Sequence, residues 1–122
     1  MEFEEEDKFR IMGKIPMISS LEVAFINTWN LLYRDIKWER EIVLIPDRKF
    51  RFDFVHIASR VAVEVSGGIY QHMGHSTGKG LERDYEKLNL AMAEGWMVFQ
   101  LSSNMINPLW LKIIKQTIDK RL

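Results

Sequence analysis

Two short runs constrain this chain more than any others. Arg51-Phe52-Asp53-Phe54-Val55 and Val61-Ala62-Val63-Glu64-Val65-Ser66 both read as β-strands, and five residues separate them. A link that short joins antiparallel neighbours. Side chains alternate along a strand, which predicts Phe52 and Phe54 on one face and Arg51 and Asp53 on the other. By the same rule Val61, Val63 and Val65 share a face opposite Ala62, Glu64 and Ser66. A two-residue turn at Ala58-Ser59 sets Asp53 directly across from Glu64, with β-carbons about 5 Å apart. Like charges so placed repel, and a proton or a cation has to neutralise them. Ala-Ser is a weak turn former, and the pairing depends on that turn.

Glu64 sits in Val-Ala-Val-Glu-Val, apolar enough for a central strand, where a charged side chain needs a partner. Gly67-Gly68 follows and permits close approach of a backbone or a ligand. Two or three carboxylates with a backbone carbonyl and waters form the oxygen-rich site that Mg²⁺ takes. Pattern alone also fits a one-sided sheet with both acids in solvent.

The rest of the chain frames this hairpin. Residues 1–18 read as an acidic, partly disordered arm and residues 19–122 as one domain. Ser19 with Glu22 is a capping-box signature, and Leu21, Phe25, Trp29 and Leu32 recur at helical spacing over 20–34. Residues 41–45 read as a first strand, stopped by Pro46-Asp47. A glycine-rich loop with His72 and His75 precedes a helix over 81–93, whose stripe is Leu81, Tyr85, Leu88 and Met92 and whose end is marked by Gly95. Residues 96–101 read as a fourth strand, and Pro108 opens a final helix to about residue 120. The expected fold is α/β, a mixed central sheet of about four strands flanked by helices, with a parallel crossover through the second helix.

Composition excludes several classes. The chain has no cysteine, so disulfides and thiolate metal sites are out. No apolar run reaches the about 18 residues of a membrane span. The acidic start resembles neither a secretory signal nor a transit peptide, and a cytoplasmic, bacterial or phage-encoded setting is expected. Net charge is zero, yet residues 1–8 hold five acids and one base, leaving 16 basic against 12 acidic side chains beyond them. That remainder is compatible with phosphate binding and equally with an ordinary mixed surface.

The ordered set Arg51-Phe52-Asp53-Phe54, Ala62-Val63-Glu64-Val65-Ser66-Gly67-Gly68, His72 and His75, Gly78 and Gly80, Asp84-Tyr85-Glu86-Lys87 and Gly95-Trp96-Met97-Val98-Phe99 resembles the PD-(D/E)XK nuclease superfamily. It is most similar to the small, very-short-patch-repair-like branch, over roughly residues 19–106, and the Holliday-junction-resolvase-like members share its outline. The resemblance implies a restriction-endonuclease-like fold and metal-dependent hydrolysis of DNA phosphodiesters. Asp53, Glu64 and the Val65 carbonyl would bind Mg²⁺, with Mn²⁺ as a substitute. Glu22 matches the family's helical Glu, beside its capping role.

One position departs from the pattern. The family places a lysine two residues after the Glu, and here Ser66 stands there. Lys87 on the following helix is the replacement, three residues from Asp84 and on the same helix face; otherwise it is an exposed ion-pair partner, and Ser66 only positions water. Arg51, Lys79 and Arg83, with Arg48, are expected phosphate contacts. His72 and His75 are too close together for a zinc site and are expected at the DNA backbone. Trp38, Tyr70 and Trp110 fill the core by default. The sequence therefore points to a DNA endonuclease. With no room for a separate sequence-reading domain, it would cut branched or Holliday-junction DNA as a homodimer. The competing reading is a nuclease-fold protein that has lost activity and binds DNA or a protein partner.

Overall fold

The computed structural model describes residues 18–67 and 78–122. The acidic arm through residue 17 and the loop carrying Gly68, Tyr70, His72 and His75 lie outside the described residues. Helix α1 (Ser20–Tyr33) begins with the capping box: Ser19 Oγ accepts from the Glu22 amide at 3.1 Å, and Glu22 Oε2 accepts from the Ser19 amide at 2.8 Å. Each bond satisfies an amide that the first helical turn leaves open. Strands β1 (Glu39–Val43), β2 (Arg51–His56) and β3 (Val61–Val65) follow, then α2 (Gly78–Ala93), β4 (Met97–Leu101), a 3₁₀ turn over Ser103–Met105 and α3 (Pro108–Arg121). Gly95, at φ 88°, closes α2, with the Trp96 amide reaching back to the Ala91 carbonyl. Asn107 Oδ1 accepts from the Trp110 amide and caps α3.

The sheet order is β1-β2-β3-β4, antiparallel except for the parallel β3–β4 pair that α2 connects. This is the mixed, helix-flanked sheet the sequence predicts. The hairpin register also matches: Phe54 pairs with Val63, Val55 with Ala62 and His56 with Val61. The Arg60 amide closes the turn on the Ile57 carbonyl at 3.1 Å around Ala58-Ser59.

Two apolar layers cover the sheet. On one face Phe25 and Trp29 of α1 and Leu111, Ile114 and Ile118 of α3 pack on Phe54, Val61, Val63 and Leu101. Trp38 joins them edge-on to Phe25 and Trp29, and Trp110 packs at their margin, so both tryptophans are core. The other face gathers Ile42, Leu44, Ile45, Phe52, Val55, Ile57, Ala62 and Trp96 around Ala91 of α2.

Three sequence expectations change. Phe52 and Phe54 do not share a face: Phe54 belongs to the α1–α3 layer and Phe52 to the α2 layer. The cause lies in the neighbouring strand. Arg40 pairs with Phe54 and Ile42 with Phe52, so Glu41 falls opposite Asp53, and Glu41 adopts a left-handed φ of 53°. In α2, Leu81, Tyr85 and Met92 are exposed, because the helix turns Lys87 and Ala91 toward the sheet. In α1, Leu32 is exposed while Phe25 and Trp29 are fully buried.

Candidate active site

The acids stand where the β2–β3 ladder ends. Beyond Phe54 and Val63 the carboxylates take over from the backbone ladder. The Asp53 amide donates to Glu64 Oε2 at 3.3 Å, and the Val65 amide donates to Asp53 Oδ2 at 2.9 Å. One step past the Phe54–Val63 pair, the register brings Asp53 level with Glu64, which in turn pairs with Gln100 of β4. Glu41, Asp53, Glu64 and Gln100 therefore form one row across all four strands.

Glu22 enters this row from the first turn of α1. One carboxylate oxygen each from Glu22, Glu41 and Asp53 lie within 4.8 Å of one another. Glu22 and Glu41 are buried, at 7% and 8% exposure. Arg40 reaches Glu22 Oε2 at 3.3 Å, one cation beside three acids. Burial raises the Glu41 pKa, and the nearby Asp53 and Glu22 raise it further. Glu22 completes the cap and also lies with the acids. Glu41 is the residue that sequence reasoning missed. Its signal was available, because a β1–β2 turn centred on Asp47 sets residue 41 against residue 53.

Lys87 reaches the site. Its ammonium forms an ion pair with Glu64 Oε1, donates to the Arg51 carbonyl at 2.5 Å and lies 4.4 Å from the centre of the Phe52 ring. Burial pushes the Glu64 pKa up to about 8 against the opposing pull of Lys87, and Asp53 adds to the rise. Ser66 lies just past β3, its amide donating to the Leu101 carbonyl at 2.9 Å.

The donor set fits a hard divalent cation. Buried carboxylates crowded together are costly unless a positive charge joins them, and oxygen is the donor such ions prefer. Asp53 stands at the centre of that set, tied to the Glu64–Val65 segment on one side and close to Glu22 and Glu41 on the other. Arg48, Lys49, Lys79 and Arg83 line a separate shallow groove around Phe50, where the Arg48 and Arg83 guanidiniums lie 5.1 and 5.8 Å from the ring centre. Arg51 contributes its carbonyl to Lys87, and its side chain is half-buried on β2.

No protein-family model and no curated protein matches the sequence. Among solved structures, the fold is similar to that of the homing endonuclease I-Bth0305I catalytic domain, with a TM-score of 0.62 and 17% identity over 86% of this chain and 99% of that one. The likeness places the chain in the α/β architecture of that catalytic domain.

Proposed function

We propose that this protein is a divalent-metal-dependent DNA endonuclease. The observation that carries the reading is the exchange between β2 and β3, where Asp53 and Glu64 each accept the other strand's amide and Lys87 closes on Glu64. The fold shared with a homing endonuclease catalytic domain supports it.

Asp53, Glu64 and the Val65 carbonyl would hold the cation, with Glu22 and Glu41 as the further acids around Asp53. A bound Mg²⁺ or Mn²⁺ supplies Lewis acidity toward water and phosphate oxygens. The chain's residues supply the rest. Lys87 keeps Glu64 oriented and presents an ammonium at the reacting phosphate, the task that the missing lysine at position 66 would have had. Ser66 positions water beside it. Lys79, Arg83 and Arg48 bind phosphates along the flank of α2, with Arg51, His72 and His75 as further DNA contacts. The contact between Lys87 and Glu64 argues against the inactive-binder alternative.

Branched DNA, four-way junctions included, is the favoured class, cut by a homodimer that presents two sites. A cleavage panel of duplex, nicked, flap and four-way-junction DNA with Mg²⁺ or Mn²⁺ tests this. Branched substrates are cut fastest on this account. A panel left intact with both metals ends the enzyme reading, and faster cleavage of plain duplex ends the branched preference.

A further inference from the structure

A second concavity borders Glu64 on the side away from Glu41. It has a volume of about 440 Å³ and lies between α2, the carboxyl ends of β3 and β4 and the 3₁₀ turn. Pockets of about 300–1,000 Å³ take small organic groups. Its polar lining comes from Glu64, Ser66, Asp84, Lys87, Gln100 and Ser102, and Leu88, Val98 and Met105 are among its apolar walls. Crevices past the carboxyl ends of parallel strands are common ligand sites.

Charge is divided between the two sides of α2. The groove around Phe50 holds Arg48, Lys49, Lys79 and Arg83 against Asp47, Glu82 and Glu86. The pocket beside Glu64 holds two carboxylates against the single ammonium of Lys87. The groove carries a small excess of cations for the phosphate backbone, and in the pocket only the Lys87 ammonium, at the Glu64 edge, faces a phosphate. The pocket suits the uncharged part of a nucleotide: an aromatic base between Leu88, Val98 and Met105, with its edge toward the donor and acceptor of the Gln100 amide.

We propose that this pocket receives the nucleoside next to the scissile phosphate, turned out of the base stack. The proposal rests on the nuclease reading and names its substrate class: DNA with a nucleotide already loosened by a nick, branch or single strand. Unstacking costs least at such positions, which gives preference for them without reading sequence. Gln100 becomes a substrate-contacting residue, its backbone set level with Glu64 by the β3–β4 register.

The test uses nicked and four-way-junction DNA carrying 2-aminopurine at single positions around the cleavage point, bound with Ca²⁺ in place of Mg²⁺. Emission of this base rises when it leaves the stack. Wild-type protein is expected to raise it several-fold at one position beside the cut. Ser102→Trp, which fills the pocket from the end of β4, is expected to abolish the rise. The same variant and Gln100→Ala lower kcat/KM by about tenfold or more. Circular dichroism and Mn²⁺ titration confirm that both variants keep the fold and the metal site.

Emission that stays quenched at every position while DNA is bound overturns the proposal, as does a rise that survives Ser102→Trp. Wild-type cleavage accompanied by quenched emission removes the pocket and leaves the nuclease standing. Absence of both DNA binding and cleavage removes both.

Discussion

Asp53 and Glu64 hold β2 and β3 together where the backbone ladder stops. The Asp53 amide donates to Glu64 Oε2 at 3.3 Å, and the amide following Glu64 donates to Asp53 Oδ2 at 2.9 Å. These acids are structural acceptors as well as candidate metal ligands. Asparagine and glutamine preserve an acceptor oxygen at each position, whereas alanine would leave a buried amide unpaired at about 1–3 kcal/mol. Isosteric variants therefore separate chemistry from folding.

Lys87 is predicted to replace the lysine absent at position 66. Lys87→Ala should lower kcat by about 10²–10⁴-fold, the usual contribution of a positioned proton donor or acceptor. The double variant Lys87→Ala/Ser66→Lys should regain at least about tenfold of the loss, because it returns the ammonium to the position the motif normally gives it. Single-turnover cleavage at saturating Mg²⁺ reads both effects. No recovery in a folded double variant would place Lys87 outside the chemistry.

Glu64 sets a pH dependence. Its pKa in the folded protein is raised from 4.5 to about 8, chiefly by burial. The folded state therefore binds this proton more tightly than the unfolded chain. Stability from the group is full below the unfolded value and is lost as pH rises toward about 8, by on the order of 2–4 kcal/mol. Thermal melts in EDTA should fall between pH 5 and 8 for the wild type and flatten in Glu64→Gln. Divalent-metal affinity should move the other way, because binding releases that proton and so tightens up to about pH 8.

Glu41 is predicted to trade stability for function. Burial and two acidic neighbours raise its pKa, so its charge opposes folding. Glu41→Gln should stabilise the metal-free protein by roughly 0.5–2 kcal/mol at pH 8. The same change should weaken Mn²⁺ binding measured by calorimetry. Unchanged metal affinity would remove Glu41 from the site.

Arg121 offers a contrast remote from the acids. Its Nε donates to the Ser59 carbonyl at 2.7 Å and its guanidinium reaches the Gly95 carbonyl at 2.5 Å, tying the end of α3 to two turns. Arg121→Ala should cost about 1.5–3 kcal/mol in urea unfolding while kcat stays unchanged.

Much of this was legible in the sequence. Alternation in Val61–Val65 and the short link at Ala58-Ser59 were enough to set Asp53 beside Glu64. Helix α2 was harder to orient. Its apolar spacing favoured Leu81, Tyr85 and Met92 as the buried face, but Lys87 finds a carboxylate, a carbonyl and an aromatic ring on the opposite choice. Glu41 was legible only through the β1–β2 register and not through local propensity. Its position depends on a left-handed backbone in mid-strand, which a non-glycine residue adopts at a cost of order 1–3 kcal/mol and which local propensity does not announce.

The most direct test is cleavage of a four-way junction by wild type and Asp53→Asn, each with Mg²⁺ and with EDTA. The wild type should cut only with the metal. Asp53→Asn should be slower by about 10³-fold or more with an unchanged melting profile, since it keeps the acceptor for the Val65 amide and loses the charge at the centre of the row. Cleavage that persists in EDTA, or an Asp53→Asn rate within about threefold of wild type, would contradict a metal-dependent site built on Asp53.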